Sequence, residues 1–189
     1  MWRAVPREAA RRLRPPFTCT RGSCMAGDIF LKIEGARMGP IKGEAQDQVH
    51  KDEIDILSWT WGMQGNASAT ATAGSRSGGA SQVSVTELIL TKGFDRASTA
   101  LLVALRANEQ IKRATLTVRK AGGPKAVEYL VMVLENARIR ALDLSGDGGE
   151  NITETIAISF QKVSIEYRGQ DPSGGGNAVS RFETDLTPG

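Results

Sequence analysis

Apolar and polar residues alternate along much of this chain, most clearly between residues 51 and 63. In an extended strand successive side chains point to opposite faces, so Leu57, Trp59 and Trp61 would share one face. Thr60 would then lie on the other face. Two indoles side by side form a large apolar area that is stable only when buried. We therefore predict that Trp59 and Trp61 are anchors of a hydrophobic core.

The same alternation predicts several further strands. They cover residues 28–34, 83–92, 114–120, 127–134, 137–144 and 152–167. The segment 127–134 is apolar at both sets of alternating positions, so both of its faces should be covered. In the last strand the apolar phase changes between Phe160 and Val163, which is typical of a bulge or bend where a strand changes sheets.

One segment has helical periodicity. Ser98 is a suitable N-cap, and an apolar stripe follows it. The stripe consists of Leu101, Leu102 and Leu105. The pattern predicts a helix over about residues 99–107, with Asp95 as an alternative start one turn earlier.

Glycine-containing turns separate the predicted strands, and their short spacing favours antiparallel hairpins. A chain with many short strands and one helix is typical of a closed or nearly closed β architecture. The predicted fold class is therefore mainly β: an antiparallel β-barrel of two packed sheets with one flanking α-helix.

The chain divides into three parts by composition. Residues 1–24 form a basic leader that we expect to be disordered and to precede the natural start at Met25. The β-barrel domain covers residues 25–168, and residues 169–189 read as a glycine-rich linker with a short tail. The leader holds six arginines and one glutamate, so the net charge of +3 belongs to it rather than to the domain.

This charge distribution gives no support to nucleic-acid binding by the domain. The leader has no apolar segment of the kind that a Sec signal peptide needs. No run of about 18 apolar residues occurs, so we expect no membrane insertion. Both cysteines, Cys19 and Cys24, lie in the leader, so no disulfide framework is expected in the domain.

Residues 62–82 are almost entirely small and polar. A structureless segment of this length inside a compact domain is uncommon. It is not a phosphate-binding loop, because its glycines lack the lysine that follows them in that motif. The composition leaves two interpretations open: a loop that binds a neighbouring subunit, or a merely flexible one.

The candidate chemistry is sparse. His50, the single histidine, lies in the charged segment 43–55, and we expect a solvated loop there rather than a proton relay. The acidic run at residues 143–151 does not match the spacing of a calcium loop and favours a hairpin turn. We predict no catalytic residues, no metal site and no cofactor, and hence no enzyme.

Several motifs occur in one order along the domain. They are MAGDIFLKI at 25–33, EIDILSWTWGM at 53–63, LTVRKAGG at 116–123 and TETIAISF at 153–160. Together they resemble the haemolysin-coregulated proteins, the tube subunits of type VI secretion systems. The resemblance covers about residues 25–168. The leader, the segment 36–40 and the tail depart from the family pattern.

The resemblance implies a β-barrel that assembles into homo-hexameric rings, and rings that stack into a tube. Family partners are a contractile sheath, a spike protein and small effectors carried in the lumen. The protein would reside in the bacterial cytoplasm before assembly and then be secreted through the apparatus.

The resemblance also assigns positions. Thr60 matches a position that faces the lumen, and the long loop matches one that contacts the next ring. The inter-ring candidates are Gly65, Asn66, Ser75, Arg76 and Ser77. The alternative function is a soluble β-barrel module that binds a ligand, in which case a tryptophan should be exposed at the barrel mouth.

Overall fold

The computed structural model describes residues 28–65, 83–120, 127–146, 148–149, 151–170 and 176–186. The elements within them are β1 (Asp28–Gly35), β2 (Pro40–Ile41), β3 (Ile54–Asp55), β4 (Ser58–Thr60), β5 (Met63–Gly65), β6 (Val83–Val85), β7 (Leu88–Gly93), α1 (Arg96–Arg106), β8 (Ile111–Lys120), β9 (Val127–Gly146), β10 (Ile152–Ser159), β11 (Lys162–Gln170) and β12 (Gly176–Asp185). The leader 1–24 and residues 121–126, between β8 and β9, lie outside the described residues.

Two antiparallel sheets share the long strand β9. Sheet A contains β1 with β2 and β3 beside it, then β8, the first half of β9, β11 and β12. Sheet B contains the second half of β9, then β10, β7 and β4. The sequence predicted two strands, 127–134 and 137–144, where the structure has one of 20 residues.

The change of sheet within β9 occurs around Asn136. Its φ of 52° lies in the left-handed region, which asparagine tolerates better than most residues. Lys162 of β11 pairs with Glu135 just before this residue, and Ser159 of β10 pairs with Arg138 just after it. The strand therefore turns from one sheet into the other without ending, which is why a prediction based on alternation divided it.

The segment 54–60 joins the free edges of the two sheets. Its first part, β3, pairs with β1, and its last part, β4, pairs with β7. Between them the Ile56 N–H donates to Ile29 O at 2.9 Å, and the Leu57 N–H donates to Thr91 O at 2.8 Å. The pairings thus form a closed ring, and the predicted mainly β fold with two antiparallel sheets and a helix is confirmed.

The core lies inside this ring. Its buried members include Leu31, Ile33, Ile54, Leu90, Leu101, Leu116, Met132, Leu134, Ile156 and Val163. Trp59 and Trp61 are half-buried and pack against it. Leu57 differs from the prediction and is 63% exposed. Ile54 and Ile56 are the buried residues of this part of the segment, and the alternation changes phase between Leu57 and Trp59.

The helix begins earlier than Ser98. Asp95 is the N-cap, and its Oδ1 accepts from the Ala97 N–H at 2.9 Å. Ser98 is instead the third helical residue, and its Oγ accepts from the Asp95 N–H at 2.9 Å. This reciprocal arrangement is a capping box, which explains why both residue types have capping character. Leu101 faces the core, whereas Leu102 is exposed. The apolar stripe that the helix buries is therefore narrower than the predicted one.

The end of the chain also differs from the prediction. The predicted strand 152–167 is divided at Phe160 into β10 in sheet B and β11 in sheet A, which accounts for the change of apolar phase. Residues 176–185, which we expected to be linker and tail, form β12 on the edge of β11. Phe182 is paired with Ile165 there, so an edge that would otherwise be open is covered.

A buried ion pair lies beneath the N-terminus of α1. Lys92 and Glu154 are both 0% exposed, and Lys92 Nζ lies 2.7 Å from Glu154 Oε2. Lys92 Nζ also lies 2.7 Å from Asp95 Oδ1 and donates to Ser98 Oγ at 3.0 Å. The contact with Glu154 is an ion pair by distance rather than an aligned hydrogen bond, and Glu154 Oε1 has no hydrogen-bond partner. The lysine thus links β7, β10 and the cap of α1.

We predict that Lys92→Met destabilises the protein by about 3–5 kcal/mol, because it leaves the Glu154 carboxylate buried without its counter-ion. The free energy of unfolding from urea titration measures this. The double variant Lys92→Met/Glu154→Leu should recover much of the loss, since it removes both charges. Lys162→Met is the control, because it removes an exposed ion pair with Glu183 and should shift the midpoint far less. Equal shifts for the two lysine variants would contradict the prediction.

Candidate functional surfaces

The outer face of sheet B is lined by small hydroxyl side chains. Thr60 of β4 is exposed and directly follows Trp59, which packs against the core, as alternation requires. Ser58 pairs with Thr91 of β7, and Thr91 pairs in turn with Thr155 of β10. We call Ser58, Thr60, Thr91 and Thr155 the hydroxyl face. Its four hydroxyls offer hydrogen-bond donors and acceptors without formal charge. Asp143, which pairs with Thr155, adds an exposed carboxylate beside them.

The outer face of sheet A is charged instead. Arg113 Nη2 lies 3.1 Å from Glu135 Oε1, and Lys162 Nζ lies 2.6 Å from Glu183 Oε1. Arg181 contacts both Glu183 and Glu166. We call this set the charged face. Its cations and carboxylates alternate across neighbouring strands, so their charges largely compensate one another, and exposed pairs of this kind add little stability.

A short ribbon carries the segment 66–82. β5 and β6 pair from Met63 with Val85 to Gly65 with Val83, and form a sheet of their own. Thr86 Oγ1 accepts from the Gly62 N–H at 2.9 Å at the base of this ribbon. Gly65 is exposed at its far end. The other loop candidates, Asn66, Ser75, Arg76 and Ser77, lie outside the described residues.

The segment 43–53 covers the outer face of sheet A at the start of β1. Phe30 of β1 is buried there, and the His50 ring stacks on it with a centroid distance of 4.4 Å. His50 is only 7% exposed, so the expectation of a solvated histidine is wrong. The overlooked signal was Phe30, a large apolar residue among polar outward positions, which needs a cover of its own.

Arg119 of β8 also holds segment 43–53 against sheet A. Its Nη2 donates to Asp47 Oδ2 at 2.6 Å and to Asp28 Oδ2 at 2.8 Å. The Arg119 hydrogen bond, followed by backbone hydrogen bonds from Val49 and His50, holds the pKa of Asp47 well below its usual range. The two carboxylates correspondingly raise the pKa of Arg119. Asp47 therefore remains charged under all but strongly acidic conditions.

The turn at residues 35–40 closes over a buried carboxylate that the sequence did not reveal. Glu109 Oε1 accepts from the backbone N–H groups of Arg37 at 2.6 Å and Met38 at 3.1 Å. Glu109 Oε2 accepts from Arg37 Nε at 2.9 Å. The backbone hydrogen bond from Arg37 is the main reason that the pKa of Glu109 is lowered. A lone glutamate after a helix gives no sequence signal for such a role.

The described residues contain no group of three or more histidine, cysteine, aspartate or glutamate side chains that could hold a metal ion. Asp143 of the acidic run is exposed on β9, whereas Asp147 and Glu150 fall outside the described residues. Among the described residues, no helix has the length and apolar character needed to cross a membrane.

Comparison with known proteins gives consistent matches over the barrel. The family model described as "Type VI secretion system effector, Hcp" matches residues 30–167. The chain is 38% identical to protein hcp1 of Pseudomonas aeruginosa over 151 residues, which are 79% of this chain and 88% of that protein.

Solved structures give the same result. Hcp1 from Salmonella typhimurium superposes with a TM-score of 0.66 at 34% identity, covering 86% of this chain and 96% of that one. A type VI secretion system effector from Yersinia pestis superposes with a TM-score of 0.64 at 28% identity, covering 84% of this chain and 99% of that one.

We predict that Asp47→Asn lowers the stability at neutral pH and that this loss disappears in acid. The amide can still accept from the Val49 and His50 N–H groups, so the variant removes mainly the charge facing Arg119. Because the pKa of Asp47 is lowered in the fold, its contribution is complete above the ordinary range near pH 4 and is lost as the pH falls further. Urea midpoints measured between about pH 2 and pH 7 test the trend.

Asp55→Asn is the matched control, with the opposite sign. Partial desolvation, and then the neighbouring charges of Asp95, Asp28 and Asp47, raise the pKa of Asp55. Removing its charge should therefore leave stability at neutral pH unchanged or higher. If both asparagine variants lose stability equally, with the same pH dependence, the interpretation of the Asp47–Arg119 pair is wrong.

Proposed function

The chain belongs to the Hcp family of type VI secretion proteins, and we propose that it is a structural subunit of the secreted tube. In this proposal it forms homo-hexameric rings that stack, and it acts by self-association rather than by catalysis. The family match over residues 30–167 is the observation that carries the proposal.

The hydroxyl face is the proposed wall of the lumen. Thr60 is exposed on the edge strand β4, between two tryptophans that pack against the core. Small hydroxyl side chains suit a passage that small effectors enter and leave, because they add no charge of their own to its wall. The charged face of sheet A lies on the opposite side of the barrel. It would then point outward, toward a contractile sheath.

Two separate exposed apolar patches support a ring. The first consists of Phe94, Leu144 and Ile152 at the end of sheet B, where the Phe94 N–H donates to Ile152 O at 3.0 Å. The second consists of Tyr167 and Phe182 at the edge of sheet A. A head-to-tail ring requires two different complementary surfaces on each subunit, and exposed apolar patches are typical of such contacts.

The β5–β6 ribbon carries the segment proposed to contact the next ring, with Gly65 as its described end. The remaining partners follow from the proposal: the tube would be capped by a spike protein and would carry small effectors. The subunit would be made in the bacterial cytoplasm and leave the cell through the apparatus itself.

We expect the purified 189-residue chain to form rings of about six subunits with a central opening. Negative-stain electron microscopy shows the rings, and light scattering coupled to size exclusion gives their mass. A species that stays monomeric at high protein concentration would contradict the proposed function.

The orientation of the barrel in the ring can be tested separately. We predict that spin labels at Thr60→Cys lie closer to one another within a ring than labels at Ser164→Cys on the charged face, because the inner wall has the smaller radius. Pulsed electron resonance measures both sets of distances in a Cys19→Ser/Cys24→Ser background. The reverse order would place sheet A, not sheet B, against the lumen.

A further inference from the structure

His50 contacts a carboxylate at each of its two ring nitrogens. Nδ1 lies 2.9 Å from Glu53 Oε2, and Nε2 lies 3.2 Å from Glu128 Oε1. Glu53 belongs to the same segment as His50, whereas Glu128 is the second residue of β9, 78 positions away. The second contact therefore ties segment 43–53 to the start of a strand.

The protonation state of the ring decides whether both contacts are hydrogen bonds. A neutral imidazole has one N–H donor and one lone pair, whereas a protonated imidazole has two donors. Ionised carboxylates only accept. With the neutral ring, one of Glu53 and Glu128 faces a lone pair, and with the protonated ring both accept a hydrogen bond.

The other charged groups around the ring are held by different partners. Arg119 lies over the Phe30 ring, 5.1 Å from its centroid, and is fixed by Asp28 and Asp47. Asp47 Oδ1 accepts from the backbone N–H of His50 at 3.1 Å, so it holds the loop without touching the imidazole. The segment therefore remains attached to sheet A whatever the charge of the ring.

We propose that His50 is a proton-dependent clamp that fastens the start of β9 to segment 43–53. Taking up a proton from solvent gives Nε2 or Nδ1 its missing hydrogen, and Glu128 and Glu53 then accept from the same ring. Loss of that proton from Nε2, which makes the longer of the two contacts, leaves the Glu53 contact within the segment and releases Glu128.

The ladder at this point has an irregularity that suits release. Val118 of β8 pairs with Leu130, but the next residue, Arg119, pairs with Glu128, so Tyr129 is an extra residue in β9. Such a bulge weakens the local ladder. The clamp thus acts at a point where the pairing of β8 with β9 is disrupted, and it does not depend on ring assembly.

The test uses the whole 189-residue chain, in which His50 is the single histidine and gives one set of ring signals. Long-range proton–nitrogen NMR follows both ring nitrogens from about pH 8 to pH 5, the range in which histidine ordinarily changes charge. Amide exchange of residues 128–130 is measured in the same samples and corrected for its intrinsic pH dependence. We expect exchange there to slow several-fold as the ring gains its second proton.

Glu128→Gln should abolish this coupling, because an amide can donate to or accept from Nε2 and so keeps the contact in both states of the ring. Glu135→Gln is the control on the same strand, since Glu135 pairs with Arg113 and not with His50. The proposal would be overturned if, in the unmodified chain, amide exchange at residues 128–130 does not change with the protonation of the His50 ring. So would coupling that survives in Glu128→Gln.

Discussion

The fold depends on the hydrogen bonds that segment 54–60 makes to both sheets. Its first residues bond to β1 and its last residues to β7, so the segment closes the ring of strands that encloses the core. The same bonds fix which way each side chain of β4 points. Trp59 is directed to the core and Thr60 away from it, so closure of the barrel and presentation of the hydroxyl face have one cause.

Much of the architecture could be predicted from alternation, because a strand with one buried face has a strict period of two. Prediction from alternation is wrong where a strand changes sheets, and where a segment becomes a strand only by pairing with a distant part of the chain. Asn136 lets β9 turn without ending, so one strand looked like two. The glycine-rich tail has weak strand character, and β12 forms because β11 provides an edge to pair with. Such long-range pairing leaves no local pattern.

The candidate surfaces were predictable to different degrees. The exposure of Thr60 follows from its two tryptophan neighbours, whereas the contrast between the hydroxyl face and the charged face required the register of four or more strands. The burial of His50 could not be predicted, because its charged neighbours in the sequence indicate a solvent-exposed loop. In the structure Phe30 provides an apolar surface and Glu128 a distant carboxylate, and neither adjoins His50 in the chain.

The β5–β6 ribbon makes the stability of the barrel insensitive to the length of the chain between Gly65 and Val83. Gly65 and Val83 pair directly, so the two ends of the intervening segment are already held side by side by the ribbon. Doubling the length of a loop between fixed ends costs only about 0.6 kcal/mol of closure entropy. Chain length at this position can therefore drift during evolution, or be altered by grafting a peptide, with little thermodynamic consequence for the strands that carry it.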